Sequence, residues 1–370
     1  MKIGIDAKWY FRGPPSGRRV IRNLVKHLVA QSTDDELHLF TDADSRHEPL
    51  DVAFDARRRH HVWAGNNQVS NVAVLPRVAE QHGLDAVVYQ NFVPPRRQRH
   101  ARIAFVHDAI FQVRPEFFTR MERLYFKPLR YLARSAERMC TVSHAERARL
   151  IALGYARPDR IDVVPNAVDD AFLHGAPPLA ETQRIVAGLG LPGRFFLFVG
   201  RVTARKNVGA LVRALEHIPE PVALVVAGPS DETASDFTRA LAASTARHRI
   251  HLLGALGDDA LRAVYAAATV FCFPSLDESF GLPPLEAMAL GTPCVVSDVP
   301  ALREVCGGAA LYVDPNDPVQ LGDAIKKLLS DNELCGMLEV AGRAQAAQFS
   351  WERSAAALLA CAHATARAMA

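Results

Sequence analysis

Glu278 and Glu286 stand eight positions apart in the segment Glu278-Ser-Phe-Gly-Leu-Pro-Pro-Leu-Glu286. Two carboxylates at such a spacing can serve as acid and base, or can accept hydrogen bonds from the hydroxyls of a polyol. The residues between them say how they are placed. Gly281 permits a tight turn. Pro283 and Pro284 suit a first helical turn, where a missing N–H costs little, and Gly291 suits the stop. This predicts a strand over Thr269–Ser275, a loop carrying Glu278, and a short helix with Glu286 in its first turn. Carboxylates and loop amides would then face one crevice, suited to a polyhydroxylated ligand joined to phosphate.

Cations that could meet that phosphate lie upstream, in Gly200-Arg201-Val-Thr-Ala-Arg-Lys206-Asn207. Arg pairs with phosphate oxygens through two N–H groups, and Lys adds a point charge. A surface pair after a strand is the alternative. Gly228, and the stretch Gly254-Ala-Leu256-Gly257, end further apolar runs; their backbone could meet a nucleobase edge or could form plain turns. The loop Gly13–Gly17 could offer amides to an anion before a helix, although it has neither a P-loop ending nor a GxGxxG pattern. His107, beside Asp108, ends an apolar strand and is either a ligand group or a structural histidine. Thr119–Met139 reads as one helix, with Arg120, Arg123, Lys127, Arg130, Arg134 and Arg138 on a solvated face and Met121, Leu124, Tyr125, Leu129, Leu132, Ala136 and Met139 on a packed one; the rival reading turns the basic face to anionic lipid. Trp9, Tyr10 and Phe11 are an aromatic surface or core.

The elements that must position these groups alternate strand and helix along all 370 residues. Seven strand candidates precede a linker at Asp169–Thr182: Lys2–Asp6, Leu37–Thr41, His61–Ala64, Ala86–Tyr89, Ile103–His107, Met139–Val142 and Ile161–Val164. Six follow it: Phe195–Val199, Val222–Ala227, Ile250–Leu253, Val270–Phe273, Cys294–Ser297 and Leu311–Val313. Helical stretches between them include 18–29, 69–82, 207–218 and 258–267. Short apolar runs separated by helices point to parallel sheets covered on both faces, hence two doubly wound α/β domains whose ligands sit outside the carboxyl ends of the strands. The net charge of +3 divides into +7 over residues 1–172 and −4 over 173–370. The basic half suits an anionic partner: phosphate, nucleic acid or a membrane surface. No apolar run is long enough to span a bilayer, Met1–Asp6 reads as a strand rather than a signal peptide, and the six cysteines show no metal spacing, so reduced thiols in a cytoplasmic protein are expected.

Taken in order, these segments resemble glycosyltransferase family 4, the retaining GT-B enzymes. Met1–Gly17 resembles the family's opening strand and loop. Val106-His-Asp108, Thr141-Val-Ser143 and Pro165-Asn166 resemble its N-domain motifs, and Gly200-Arg201 with Lys206 its diphosphate-binding pair. Glu278 to Glu286 resembles its Glu-x7-Glu signature, and Phe349-Ser-Trp-Glu352 the start of its last helix. The resemblance implies a GT-B fold: two facing Rossmann-like domains with a cleft between them, residues 1–172 on the acceptor side and 173–350 on the nucleotide-sugar side, with a final helix of about residues 351–370 crossing back.

It also implies roles. Glu286 would hold the ribose and Glu278 the donor sugar, with Ser279 alongside. The amides of Phe280, Gly281 and Leu282 would meet sugar and phosphates. Arg201 and Lys206 would bind the diphosphate, His107 the donor sugar, and Gly17 would lie near diphosphate or acceptor. The expected donor is a GDP-, UDP- or dTDP-linked sugar, with mannose or rhamnose favoured. The expected acceptor is a glycan or lipid-linked glycan of a bacterial surface polysaccharide such as O-antigen. No metal or other cofactor is expected, nor nucleic acid as a partner; peripheral contact with the inner face of an anionic cytoplasmic membrane is. The loop Ser16-Gly17-Arg18-Arg19-Val20 departs from the family's more regular pattern, which touches acceptor recognition. Rival readings are a GT-B epimerase or phosphorylase, and a non-catalytic nucleotide-binding module.

Overall fold

The computed structural model describes residues 1–63, 65–173, 175–230 and 235–369. Its contacts divide the chain into one unit of Met1–Asn166 with Ser350–Ala370, and a second of Ala167–Phe349.

In the first unit seven parallel strands, β1 (Lys2–Asp6), β2 (Glu36–Asp42), β3 (Arg59–Val62), β4 (Ala86–Gln90), β5 (Ala101–Val106), β6 (Arg138–Thr141) and β7 (Ile161–Val163), lie in the order β3-β2-β1-β4-β5-β6-β7. The central strands β1, β4 and β5 are buried along almost their whole length, and their inner residues are mostly apolar because helices cover both faces. The third expected strand ends at Val62; Ala64, its predicted last residue, lies outside the described residues.

Helix α1 (Pro15–Gln31) starts three residues before the amphipathic stretch read from sequence, because Pro15 at its first position fits the helical φ. Helix α2 (Leu75–Gln81) follows a π-helical turn, Ser70–Val74, so the expected helix 69–82 is not uniform. The helix expected over Thr119–Met139 is broken. Helix α3 (Arg120–Phe126) is closed at its start by a capping box between Thr119 and Glu122, and α4 (Leu129–Ala133) restarts after Pro128, which cannot donate to the preceding turn. Met121, Leu124 and Tyr131 are exposed at 73%, 62% and 73%, whereas Leu129 is buried.

The C-terminal helix Trp351–Arg367, capped by Ser350 as the sequence suggested, buries Trp351, Ala355, Leu358 and Ala362 within this first unit. Ser354 donates to the Pro165 carbonyl at 2.5 Å. The buried Cys361 places its Sγ 3.4 Å from that of Cys140 on β6.

The second unit holds β8 (Phe195–Val199), β9 (Ala223–Ala227), β10 (Ile250–Gly254), β11 (Val270–Phe273), β12 (Cys294–Ser297) and β13 (Ala310–Val313), all parallel, in the order β10-β9-β8-β11-β12-β13. Its core is the run Phe195-Phe-Leu-Phe-Val199 with Phe271 and Phe273. Helix α5 (Val208–Leu215) follows β8, α6 (Asp258–Ala267) precedes β11, and α7 (Leu282–Ala289) follows it. The segment read as a linker, 169–182, holds a short helix Asp170–Leu173 and the start of another, Leu179–Gly188; its His174 lies outside the described residues.

Candidate active site

Each sheet reverses its strand order once, between β1 and β4 in the first unit and between β8 and β11 in the second. Crevices for ligands form at the carboxyl ends of the strands flanking such a reversal. The strand order is the information that sequence lacks, and most of the predicted residues lie at these two places; Gly228 and Leu256 follow β9 and β10, one and two strands farther along the second sheet.

In the second unit, β8 leads into Gly200-Arg201 and the tight turn Ala204–Lys206, while β11 leads into Pro274–Gly281. The two loops are laced together: Leu276 N–H donates to the Arg205 carbonyl at 2.8 Å, and Arg205 Nη1 donates to the Asp277 carbonyl at 2.8 Å. Asn207, left-handed at φ 53°, donates its side-chain amide to Pro274 and Pro315 and so fixes the start of α5. This brings Lys206 Nζ to 2.5 Å from Glu278 Oε1 and Arg205 Nη1 to 2.7 Å from Oε2. Lys206 Nζ also lies 4.4 Å from the centre of the Phe273 ring.

Burial alone would raise the Glu278 pKa; the charges of Arg205 and Lys206 outweigh it and bring the carboxyl down to about 2. Burial lowers Lys206 to about 8, Glu278 opposing and the cations Arg205 and Arg201 assisting. The site therefore holds a permanent carboxylate and a lysine that loses its proton more easily than usual. Arg201 projects from the loop as an exposed residue.

Helix α7 begins with Gly281 as cap, at φ 119°, where a side chain would also meet Leu302. Leu282 is the first helical residue, so Glu286 falls in the second turn; the sequence reading placed it in the first. Glu286 is 2% exposed and accepts the Tyr265 hydroxyl of α6 at 2.9 Å. Phe280 turns inward, 3% exposed and edge-on to Phe349, so that its backbone rather than its ring is left for a ligand; Ser279 and Leu282 are half-buried.

The glycines ending β8, β9 and β10 form a row. Gly200 N–H donates to Ala227 at 2.9 Å and Gly228 N–H to Gly254 at 2.6 Å. A Cβ on Gly228 would lie 2.1 Å from the Gly200 carbonyl oxygen, so no other residue fits there. Leu256, half-buried, follows this row.

In the first unit, Asp6 at the end of β1 receives Lys8 Nζ at 2.6 Å, Asn71 Nδ2 at 2.9 Å and the Gln90 N–H at 3.2 Å. Gln90 ends β4 and places its Oε1 2.6 Å from His107 Nε2. Trp9 lies 5.6 Å from the His107 ring, and a side chain on Gly17, inside the first turn of α1, would strike Trp9 at 2.9 Å. Gly17, Trp9, His107 and Gln90 are thus one cluster, while Tyr10 and Phe11 are core. Burial lowers His107 to about 4, Asp6 opposing, so it is a neutral hydrogen-bonding group at physiological pH.

Three participants escaped the sequence reading. Arg205 sits in the quoted loop but had no role; Gln90 was legible only as a polar end to an apolar strand; Tyr265 looked like any buried helix aromatic. The chain also carries an Asp-x-Asp tripeptide, Asp42-Ala-Asp44, in the first unit. Asp42 caps a short turn by accepting the Asp44 N–H at 3.1 Å, and Asp44 pairs with Arg12 at 3.2 Å.

Residues 180–345 match the family model "Glycosyl transferases group 1", and residues 17–172 match "Glycosyltransferase Family 4". O-antigen chain mannosyltransferase B of Escherichia coli is 33% identical over 268 residues, 71% of this chain and 70% of the relative. D-inositol 3-phosphate glycosyltransferase of Xylanimonas cellulosilytica is 37% identical over 234 residues; the match takes in 61% of this chain but spans only 56% of that enzyme. Among solved structures, sucrose-phosphate synthase from Thermosynechococcus elongatus superposes with a TM-score of 0.76 at 21% identity, covering 97% of this chain and 98% of that one. HepE of Anabaena in complex with UDP-glucose superposes with a TM-score of 0.74 at 18% identity, covering 97% and 99%. The structural likeness is one of fold, two parallel-sheet α/β units of the GT-B type. With both units matched in order, and one relative a third identical over most of its length, the chain belongs to the family 4 glycosyltransferases, its second unit carrying the group 1 domain.

Proposed function

We propose that this protein is a retaining glycosyltransferase that moves a sugar, mannose in the first instance and rhamnose in the second, from a nucleotide-diphosphate sugar to a glycan or lipid-linked glycan of a bacterial surface polysaccharide. The observation that carries the reading is the Arg205–Glu278–Lys206 cluster at the strand reversal of the second unit, with Arg201 in the same loop and Glu286 buried in the second turn of α7. The mannosyltransferase relative supports the sugar, and the structures with UDP and UDP-glucose support a nucleotide donor.

In this reading Glu286 holds the ribose, and the row Gly200–Gly228–Gly254 with Leu256 lets the nucleotide approach the backbone closely. Arg201 and Lys206 take the diphosphate. As the bond from the anomeric carbon to the phosphate oxygen breaks, negative charge grows on the leaving diphosphate. Fixed cations and the amides of 280–282 favour that charge over the ground state. The acceptor hydroxyl attacks from the same face and its proton passes to the leaving phosphate, so configuration is retained without a covalent enzyme intermediate and without a metal. Glu278 keeps Lys206 protonated despite burial. A carboxylate accepts at about four lone-pair positions, so holding cations is compatible with binding a sugar hydroxyl. His107 offers a neutral ring to the sugar, and Gly17, with Trp9, lies on the acceptor side of the chemistry.

The test is a donor panel of GDP-mannose, dTDP-rhamnose and UDP-glucose, read by thermal shift and by release of nucleotide, with the product anomer assigned by NMR. The expected result is one nucleotide sugar that raises Tm, is hydrolysed slowly alone and gives a product of unchanged anomeric configuration. Conversion of a donor to another sugar nucleotide, phosphate-dependent glycan cleavage, or binding without turnover would each replace the proposal.

A further inference from the structure

His38, His60 and His82 come together on the first unit, far apart in sequence and outside the donor-site residues. His38 is 3% exposed and His60 9%, while His82 is exposed. The ladder explains the meeting. His60 on β3 pairs with Phe40 of β2, and His38, two residues before Phe40, points to the same face. His82 closes the C-terminal end of α2, and Gly83, left-handed at φ 61°, turns the chain toward β4. The helix therefore delivers His82 to the amino ends of the strands, the opposite end from the carboxyl-end loops.

One ligand nitrogen from each of the three rings lies within 4.8 Å of the other two. His38 Nδ1 is 2.8 Å from His60 Nε2, and the His60 and His82 rings are 4.1 Å apart between centroids. His38 Nε2 is 2.9 Å from Glu36 Oε1. A carboxylate taking the proton on one ring nitrogen fixes the tautomer and leaves the other nitrogen as an oriented lone pair, the arrangement that supports metal-bound histidines. Here Glu36, also 3.8 Å from Lys2 Nζ, aims His38 Nδ1 into the cluster.

We propose that His38, His60 and His82 form a binding site for a divalent transition-metal ion of the imidazole-preferring class, zinc in the first instance, with water completing the coordination. Three imidazoles and no thiolate suit zinc, copper or nickel rather than magnesium or calcium. A tetrahedral zinc with bonds of about 2.0–2.1 Å places its nitrogens roughly 3.4 Å apart. The buried pair opens slightly and the exposed His82 swings in to reach that spacing. The His60 proton, now directed at His38, moves to His60 Nδ1 and frees Nε2, so binding needs no net proton loss. The ion ties edge strand β3 to β2 and to the end of α2.

The test uses full-length, tag-free protein dialysed against chelator and titrated with Zn2+ alone against a chromophoric chelator, with Co2+ as a spectroscopic substitute. The expected result is one Zn2+ per chain, a Zn2+-dependent rise in Tm, and visible Co2+ absorption of histidine-ligated metal. His82→Ala, at an exposed position, removes one of the three ligands and should abolish the Zn2+-dependent rise in Tm. His60→Gln should do the same. Absence of saturable Zn2+ binding, or binding unchanged in His82→Ala, overturns the proposal.

Discussion

Lys206 and Glu278, 72 residues apart in sequence, meet at 2.5 Å in the second unit. Each makes the other's charge tolerable in a buried place, and Arg205 shares the burden from the other carboxylate oxygen. Removing the lysine therefore has two expected effects. Lys206→Met should destabilise the protein by about 1–3 kcal/mol, less than for a fully orphaned buried charge because Arg205 remains. It should also lower transfer about a hundredfold, the usual scale for deleting one group that stabilises a leaving anion. Denaturant unfolding and initial rates check the two separately; a rate within a factor of three of wild type removes Lys206 from the chemistry.

The same pair sets the pH response. Glu278, at about 2 in the folded protein, contributes stability that is present above the ordinary carboxyl range and is lost as pH falls from about 4.5 toward 2. Lys206 works in the opposite sense. Its folded pKa of about 8 lies below that of the unfolded chain, so from pH 8 to about 10.5 the unfolded state binds more protons and this group's contribution to stability rises with pH. Donor affinity should fall over the same range as Lys206 loses its charge. Isothermal titration with a nucleotide diphosphate at pH 7 and 9.5 reads one trend, and unfolding of wild type against Lys206→Met reads the other. Donor affinity that stays flat to pH 9.5 in wild type would deny the lysine a role in binding the anion.

Membrane contact is the third expectation. Met121, Leu124 and Tyr131 stand exposed on α3 and α4 among exposed Arg120, Arg123, Lys127, Arg130 and Arg134. Apolar tips within a basic face suit the boundary of an anionic bilayer. No helix among the described residues is long and apolar enough to cross a membrane. Wild type should sediment with phosphatidylglycerol-rich vesicles at low salt and partly release at high salt. Met121→Asp combined with Leu124→Asp should reduce binding tenfold or more, since burying each side chain is worth about 1.5–3 kcal/mol, while donor hydrolysis persists. Wild type remaining in the supernatant at low salt would reject the contact.

The strands were readable because parallel strands buried on both faces are unbroken apolar runs, of which Phe195-Phe-Leu-Phe-Val199 is the plainest case. Helix boundaries were less so. Pro128 splitting α3 from α4 and the register that puts Glu286 one turn deeper depend on which residue takes the cap. At the site, the residue types and spacing of Glu278, Glu286, Arg201 and Lys206 singled them out, but their partners did not announce themselves. Arg205, Gln90 and Tyr265 act through geometry that only the strand order and helix packing create, so their letters look ordinary. The histidine trio is the extreme case, since ladder register and a helix end unite residues that no motif links.

Trp351, Ala355, Leu358 and Ala362 complete a core whose other parts lie before residue 167, with Cys361 set against Cys140. The ribosome thus makes most of the first unit early but cannot finish it until residues 167–349 have been added, roughly 10–40 s later at ~5–20 residues per second. The second unit, continuous in sequence, is free to fold while the earlier one waits with the seat of its last helix uncovered. The half that is translated first is the half that matures last, and any pause or truncation late in synthesis falls on it.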